Sequence, residues 1–310
     1  MKIVSLLPSA TEIVCALGLE NELVAVTHEC DFPASIADRP AITASRISHE
    51  TMSSKEIDHA VRSQLDGHGS IYDLDNALLD TIKPDLILTQ ELCDVCAVSY
   101  QTVQRAAKIF AADANVVSLE PNTIEDIFEN ILTVGKLANA EERANETITG
   151  FRGRLEGVRE KSVHIEKRPS VFMLEWLEPP FAPGHWVPEQ VETAGGICLM
   201  GERGKPSVTT TFEAICEVQP ETLVLIPCGY YIHDTLRQLA FTEFPSNWRD
   251  IPAIETGEVW AMDATSYFSR PGPRVVDGVE ILAKIFHPDI FGDPDTDEAI
   301  RVPADLLRFS

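Results

Sequence analysis

Positive charge is scarce in this sequence of 310 residues. Against 25 lysines and arginines stand 49 aspartates and glutamates, which gives a formal net charge of −24. Nucleic acids and anionic membrane surfaces are bound through clusters of basic residues, so this balance makes both poor partners. The sequence also has no apolar run close to the ~18 residues of a membrane helix. It therefore predicts a soluble protein that neither binds nucleic acid nor inserts into a membrane.

Recognised catalytic motifs and a disulfide framework are missing as well. No GxSxG, P-loop or HExxH pattern occurs. Glu12 and Glu175 offer carboxylates for general acid–base chemistry, but nothing pairs them with a nucleophile. The seven cysteines are odd in number and spread along the chain, which is not the pattern of a disulfide scaffold. The sequence therefore indicates a protein that is not an enzyme.

The first residues do not form a signal peptide as written. Met1–Leu7 has one lysine and a short apolar run, and Pro8 and Glu12 interrupt any longer apolar region. We therefore expect a cytoplasmic protein, or a periplasmic one if a leader has been removed.

The predicted domain organisation depends on a long amphipathic segment near the middle of the chain, Asn139–His164. Its apolar residues recur at steps of three and four and share one helical stripe: Ala144, Ile148, Phe151, Leu155 and Val158. Asn139 is a favourable N-cap. The helix could lie on the surface of one continuous domain, but strands and helices alternate on both sides of it. We therefore predict a spine at 139–163 that joins an N-terminal lobe, 1–138, to a C-terminal lobe, 164–310.

Short buried-strand patterns alternate with helical patterns in both lobes. Strands are predicted at Lys2–Leu7, Asp85–Thr89, Val171–Glu175 and Thr222–Ile226, and one of the helices at Asp73–Ile82. This alternation predicts an α/β fold with two Rossmann-like lobes built on parallel sheets. Ligands of such sheets bind beyond the carboxyl ends of the strands, so we expect a ligand cleft between the lobes.

Several motifs, in order, carry a family resemblance. They are KIVSLLPSATEIVCALGL, VAVTHECDFP and KPDLIL in the first half, and VFMLEW, PPF, AGG, QPETLVLI and SYFSRPGPRVVDGVEIL in the second. Nearly the whole chain resembles the helical-backbone (class III) substrate-binding proteins of ABC importers for vitamin B12 and iron–siderophores, and the cobalamin-binding branch most. The resemblance implies a non-catalytic protein that binds a cobalamin-like corrinoid or related metal chelate in the cleft, either for an importer or as a cytoplasmic relative.

The resemblance also implies where the ligand lies. By position, the ligand is bordered by Pro8, Glu29, Phe32, Ser45, Gln90, Trp176, Tyr267 and Phe268. In the first lobe glutamate, serine and glutamine replace aromatic residues of the family pattern, and Tyr230, Tyr231 and Trp186 could restore stacking surface. Family members dock on a permease through one acidic residue per lobe, and Glu213 matches the second-lobe position.

Two further segments could contact a ligand. Gly184-His185-Trp186 could clasp a flat ligand, although a loop histidine is commonly only solvated. Arg270 and Arg274 could fork onto a carboxylate, amide or phosphate. The alternative for the two arginines is pairing with local acids such as Asp277.

A CxxC pair is the sharpest local chemical signal. Cys93 and Cys96 follow a predicted strand and precede a helix, where thiols can be redox-active or bind a soft metal; they could also be plain core residues. His28, Cys30 and Cys228 are expected on the same rim, with His185 on the facing loop. A zinc or iron site of His28, Cys30, Cys93, Cys96 and His185 is therefore one hypothesis. With it goes the alternative function, a metal-binding or thiol-dependent enzyme that reuses this fold.

Overall fold

A computed structural model describes residues 1–45, 52–66, 72–90, 100–111 and 113–309. These residues form two compact units. The first unit lies within Met1–Ser48, Ile57–Pro121 and Glu125–Thr149, and the second within His49–Glu56, Asn122–Ile124 and Gly150–Ser310. The boundaries cut three helices, after Glu56, after Ile124 and after Thr149. The lobe limits predicted at 138 and 164 stay predictions.

The first half of the chain alternates strands with helices. Its strands are β1 (Ile3–Ser5), β2 (Leu23–Ala25), β3 (Thr43–Ser45), β4 (Tyr72–Leu74), β5 (Leu86–Thr89) and β6 (Asn115–Ser118). Its helices are α1 (Pro8–Ala16), α2 (Ser54–Asp66), α3 (Asn76–Ile82), α4 (Tyr100–Phe110), α5 (Ile124–Leu137) and α6 (Glu141–Ser162).

The sheet of the first unit is parallel, in the order β2-β1-β5-β6. Its strands are apolar and fully buried where Val4 and Ile87 pair at the centre, as expected for a sheet covered on both faces. These residues pack into one core with Leu79 of α3 and Val103 of α4. Because all four strands run the same way, their carboxyl ends share one edge of the sheet.

The second half supplies the remaining elements. The strands are β7 (Ser170–Leu174), β8 (Trp176–Leu177), β9 (Pro180–Ala182), β10 (Ile197–Cys198), β11 (Val208–Thr209), β12 (Thr222–Leu225), β13 (Glu243–Phe244), β14 (Val259–Met262), β15 (Ala299–Arg301) and β16 (Arg308–Phe309). The helices are α7 (Val187–Thr193), α8 (Phe212–Glu217), α9 (Ile232–Leu239), α10 (Pro252–Thr256), α11 (Ala264–Tyr267), α12 (Val275–Phe286) and α13 (Pro288–Phe291).

The main sheet of the second unit has the order β10-β7-β12-β14-β15, and only its edge strand β15 is antiparallel. Phe172, Leu223 and Trp248 lie in its core, all fully buried. Burying side chains of this size contributes about 1.5–3 kcal/mol each. The prediction of an α/β fold with two parallel sheets is thus confirmed; the cleft between the lobes stays a prediction.

Helix α6 buries the predicted stripe, with one exception. Ala144, Ile148, Leu155 and Val158 are at most 5% exposed, whereas Phe151 is partly exposed. Within the second unit, Arg154 on this helix binds Asp277 and Glu280 of α12, with nitrogen–oxygen distances of 2.5–2.9 Å. An arginine that pairs with two carboxylates at a half-buried position anchors α6 to the second core.

The sequence-based bounds were wrong at two places. Helix α6 begins at Glu141, and Asn139 lies in the left-handed region at φ 55° instead of capping the helix. The segment predicted as helix from Asp73 starts with strand β4, because Tyr72–Leu74 pairs antiparallel with β3. Asp75 then caps α3 by accepting a hydrogen bond from the Leu78 N–H.

Candidate functional site

The carboxyl ends of the strands place the candidate residues in each unit. In the first unit, Pro8 follows β1 and opens α1, His28 and Glu29 follow β2, and Gln90 follows β5. Thr27, Thr43 and Tyr72 lie beside them through hydrogen bonds and ring contacts. We call these seven residues the first-unit rim. Pro8 and Gln90 are buried, so the polar groups of His28 and Glu29 form its accessible part.

A cluster of hydroxyl groups holds the His28 ring. The Thr43 Oγ1 lies 2.8 Å from the Nδ1 of His28 and 2.8 Å from the Oγ1 of Thr27. The same oxygen accepts a hydrogen bond from the His28 backbone N–H at 3.2 Å. Thr43 reaches this position because residues 40–42 pair with the extension of β2 at Val26. One buried threonine thus fixes both the backbone and the ring of His28.

Tyr72 forms the wall beside this ring. It is 9% exposed, its ring centroid lies 5.6 Å from that of His28, and its hydroxyl donates to the Glu29 carboxylate at 3.1 Å. The Glu29 Oε1 is 3.8 Å from the His28 Nε2, which is beyond hydrogen-bond distance. Glu29 is therefore oriented by Tyr72. The Nδ1 of His28 lies within hydrogen-bond distance of Thr43, whereas its Nε2 is too far from Glu29 for a hydrogen bond.

Three other candidates of the first unit lie in different surroundings. Cys30 has its sulfur 3.0 Å from the hydroxyl of Thr11 on α1. Phe32 is 45% exposed, and Ser45, the last residue of β3, is also exposed. Phe32 thus keeps part of its ring accessible to solvent, and its contact with a ligand stays a prediction.

The second unit presents a more buried set, which we call the second-unit rim: Glu175, Trp176, His185, Trp186, Tyr231, Tyr267, Phe268 and Arg270. Glu175 follows β7 and holds two loops, since its carboxylate accepts hydrogen bonds from the Gly184 N–H at 3.1 Å and from the Ser207 hydroxyl. Burial raises the pKa of Glu175 from 4.5 to about 7, and the two hydrogen bonds only partly oppose this rise.

Aromatic residues of the second-unit rim pack mainly against the protein. Trp176 meets Tyr230 edge to face at 5.3 Å, and Tyr230 is fully buried. Trp186 is 7% exposed, and its indole N–H donates to the Phe268 carbonyl oxygen at 3.0 Å. Phe268 itself is 3% exposed. Stacking surface for a ligand is therefore offered by the partly exposed Trp176 and Tyr231 more than by these buried rings.

His185 occupies a strained loop position. Its φ of 52° lies in the left-handed region, and the loop is closed by hydrogen bonds from the His185 N–H to the Lys205 carbonyl at 2.6 Å and from the Gly204 N–H to the His185 carbonyl at 2.9 Å. Burial lowers the pKa of His185. A Cβ on the neighbouring Gly184 would lie 2.2 Å from the Ser207 backbone nitrogen, so only glycine fits there.

A local acid near the two arginines beside α11, Asp277, pairs with Arg154. The pairing of these arginines with local acids stays a prediction, and Asp263 is one such acid that feels the charge of both. Burial raises the pKa of Asp263, the N-cap of α11, while its hydrogen bonds to Ser266 and the charges of Arg274 and Arg270 oppose this rise. Burial, reinforced by Asp263, also raises the pKa of Tyr267 to about 12. Arg270 is 7% exposed. Its guanidinium therefore interacts with charged groups inside the protein near α11, such as Asp263.

The structure describes three of the five residues of the predicted metal site, His28, Cys30 and His185. Cys93 and Cys96 lie outside the described residues. Among the described residues, no three His, Cys, Asp or Glu side chains converge as a metal site would require. His28 and Cys30 belong to the first unit and His185 to the second. A site completed by Cys93 and Cys96 stays a prediction.

The second unit also contains a cavity of about 830 Å³. It is lined by Met52, Ser53, Lys55, Glu56, Glu178, Phe212, Arg237, Gln238, Phe241 and Glu243. None of the ligand-binding residues predicted from the sequence lines it. Glu213, the predicted docking residue, follows Phe212 in the first turn of α8 and is exposed.

Sequence reasoning missed Thr27, Thr43 and Tyr72. Their partners are distant along the chain: Thr43 is 15 residues from His28, and Tyr72 is 43 residues from Glu29. No local pattern marks such pairs. A threonine or tyrosine next to a strand end is too common to serve as a signal.

Parallel sheets with polar and aromatic residues at the carboxyl ends of their strands define a class of ligand-binding α/β proteins. The family model described as periplasmic binding protein matches residues 3–265. This match covers most of the chain, and the chain belongs to that family of binding proteins.

The similarity to individual relatives also extends over most of the chain. The vitamin B12-binding protein of Vibrio cholerae is 24% identical over 283 residues, covering 90% of this chain and 86% of the relative. The uncharacterised ABC transporter substrate-binding lipoprotein YvrC of Bacillus subtilis is 25% identical over 307 residues, covering 94% of this chain and 81% of YvrC. A periplasmic haem-binding protein of Pseudomonas aeruginosa has a similar structure, with a TM-score of 0.69 at 17% identity and 93% coverage of both chains.

These similarities extend over nearly the whole chain, as the sequence motifs indicated. The structural likeness establishes the fold, and the family establishes that the protein is a binding protein. Within the described ranges, every helix is too short or too polar to cross a membrane.

Proposed function

We propose that this protein binds a corrinoid, or a closely related metal chelate, and delivers it to the permease of an ABC importer. The observation that carries the proposal is the similarity to the Vibrio cholerae vitamin B12-binding protein over 90% of this chain, inside a family match from residue 3 to 265. The enzyme alternative has no comparable support.

Charge favours a corrinoid over haem. The chain carries a formal charge of −24. The accessible part of the first-unit rim contains Glu29, and a second carboxylate, Asp31, follows two residues later. Haem brings two propionates, which such a surface repels, whereas corrinoids with amide side chains are neutral or cationic. Amide groups also find hydrogen-bonding partners in the Glu29 carboxylate. Phe32, with its exposed ring, adds apolar surface.

Docking would use the exposed Glu213 on α8. A carboxylate in the first turn of a helix is well placed to meet an arginine of a permease. A Glu213→Lys variant should keep its corrinoid affinity and lose transport in cells that carry the cognate permease. Loss of corrinoid affinity in this variant would contradict a docking role.

The location follows from the same proposal. The YvrC relative is described as a lipoprotein, and the family is named for the periplasm. We infer that this protein works outside the cytoplasmic membrane. Fractionation of the native host with an antibody against the protein tests this inference; a signal confined to the cytosol would contradict it.

The zinc or iron site stays a separate proposal. It would use His28, Cys30, Cys93, Cys96 and His185, of which the two CxxC residues lie outside the described residues. Metal analysis of protein purified under reducing, chelator-free conditions tests it. Zinc or iron near one equivalent, lost in Cys93→Ser and Cys96→Ser, would support it, and metal-free protein would contradict it.

Calorimetric titration with cyanocobalamin, with ferric haem as the comparison, tests the proposed function. We expect saturable binding of cyanocobalamin at micromolar or lower concentration, as is common for specific small-molecule sites, and weaker binding of haem. No binding of either chelate would contradict the function; tighter binding of haem would contradict the corrinoid assignment alone.

A further inference from the structure

His28 is oriented like a metal ligand. In metal sites, a coordinating histidine usually donates its other ring N–H to a neighbouring acceptor, which fixes the tautomer and the ring orientation. The Nδ1 of His28 has such a neighbour in the Thr43 Oγ1 at 2.8 Å, and Thr43 is in turn bonded to Thr27 at 2.8 Å. Thr43 is only 7% exposed, so this support is buried while the imidazole lies at the surface.

Among the described residues, the second ring nitrogen of His28 makes no hydrogen bond. The Nε2 of His28 has the Glu29 Oε1 at 3.8 Å, and this oxygen already accepts the hydrogen bond of the Tyr72 hydroxyl at 3.1 Å. The His28 side chain keeps 25% of its surface exposed. Nε2 is therefore the nitrogen that an incoming electrophile can reach, and Nδ1 is the one that the protein holds.

The position of His28 agrees with this role. It follows β2, next to the central strand β1, at the edge where parallel sheets bind their ligands. Tyr72 packs against one side of the imidazole, with ring centroids 5.6 Å apart, and restricts its rotation. A single supported donor at a strand end cannot hold a bare metal ion, but it can complete the coordination of a metal already held by a macrocycle.

We propose that the Nε2 of His28 coordinates the metal of the bound chelate by replacing an axial water. This inference rests on the proposed function and deepens it, because it restricts the preferred ligands to metal tetrapyrroles with an exchangeable axial position. In this step the metal–water bond breaks, and water leaves with its electron pair. The Nε2 lone pair forms the new bond, no electron is transferred to or from the metal, and the Nδ1–H donates to Thr43.

Two chelates have an exchangeable axial position, aquocobinamide and ferric haem. Both therefore serve as probes in absorption titrations. Dicyanocobinamide, whose two axial positions are occupied by cyanide, is the matched control ligand. The wild-type protein should shift the visible bands of aquocobinamide as a nitrogen donor replaces water, and leave those of dicyanocobinamide nearly unchanged. A shift with haem alone would assign the same role of His28 to an iron chelate.

Variants test the residue itself. His28→Gln and His28→Ala should abolish the band shift and weaken aquocobinamide binding at least about tenfold, with little effect on dicyanocobinamide. Thr43→Val, which removes the support of the ring, should weaken aquocobinamide binding by about 10–100-fold, the usual range for such outer partners. His59→Ala, at an exposed histidine on α2, is the control and should match wild type.

Circular dichroism of each variant verifies folding. If wild type and His28→Gln bind aquocobinamide with the same band shift, or if wild type binds it with no shift, the coordination proposal is wrong and the proposed function survives. If wild type binds no corrinoid and no haem, both fail.

Discussion

The two rims belong to sheets of the same kind, yet their side chains are used differently. In the first-unit rim the buried residues Thr43 and Tyr72 support polar groups that reach solvent, those of His28 and Glu29. In the second-unit rim Trp186 and Phe268 bind each other and are almost fully buried. A position at the carboxyl end of a strand is thus not sufficient for a residue to contact a ligand. The first-unit rim therefore exposes polar groups that a ligand can contact. The side chains of the second-unit rim mostly hold the surrounding loops in place.

The largest expected effect is on stability in the second-unit rim. Trp186→Ala removes a buried ring and leaves the Phe268 carbonyl without its donor, and should lower the free energy of unfolding by about 3–5 kcal/mol. Phe32→Ala, at a position 45% exposed, should change it by only about 0.5 kcal/mol. Urea unfolding followed by circular dichroism measures both. Equal losses would remove the contrast between the rims.

A second expected effect concerns pH and Glu175. Its folded pKa of about 7 exceeds the ordinary 4.5, so between these values the folded protein holds a proton that the unfolded chain releases. This stabilising contribution is complete below about pH 4.5 and is lost as pH rises through 7. At ~1.4 kcal/mol per pKa unit, it amounts to at most roughly 3 kcal/mol.

The variant Glu175→Gln isolates this contribution because it cannot titrate. From pH 4.5 to 8, wild type should lose stability relative to Glu175→Gln. Glu243→Gln, at an exposed position on β13, is the control and should follow wild type. Parallel profiles for wild type and Glu175→Gln would show that Glu175 does not retain its proton in the folded state.

In the first-unit rim, Thr43→Val should have a smaller effect on stability. The variant keeps the shape of the side chain and removes the oxygen that serves Thr27 and His28. A loss of about 1–2 kcal/mol is expected from the unpaired groups. Thermal unfolding of the variant and of wild type measures this loss. Thr209→Val, at an exposed position of β11, is the control and should be nearly neutral. A neutral Thr43→Val would mean that the hydroxyl cluster does not hold the ring.

The smallest effect is on thiol reactivity, with no change in fold or binding. Burial raises the pKa of Cys15 and of Cys198 to about 12, and only the thiolate reacts with alkylating agents. Cys228 is exposed beside the second-unit rim. Iodoacetamide labelling followed by peptide mass spectrometry should therefore modify Cys228 well before Cys15 and Cys198. Rapid labelling of Cys198 would indicate that the surrounding loop opens.

The sequence predicted what local periodicity controls. The stripe of α6 and the strand patterns at Val4, Ile87 and Leu223 are local, and the structure buries these residues as expected, except Phe151 of the stripe. Strand β4 was missed because three residues form a strand only through pairing with β3.

The candidate site was less predictable, for a related reason. The pairing of Trp186 with Phe268 spans 82 residues, so nothing in the GHW motif distinguishes a structural tryptophan from a ligand-stacking one. The hydrogen bond of Thr43 to His28 is equally non-local. Placing His28 at a strand end required only the order of elements, whereas the support of its ring required the fold.

The most direct test of the account is the position of the metal. Crystals grown with aquocobinamide and measured at the cobalt absorption edge should show one anomalous peak within bonding distance of the His28 Nε2, beside Tyr72. A peak in the 830 Å³ cavity of the second unit, or anywhere remote from β2, would contradict the assignment of the ligand to the first-unit rim.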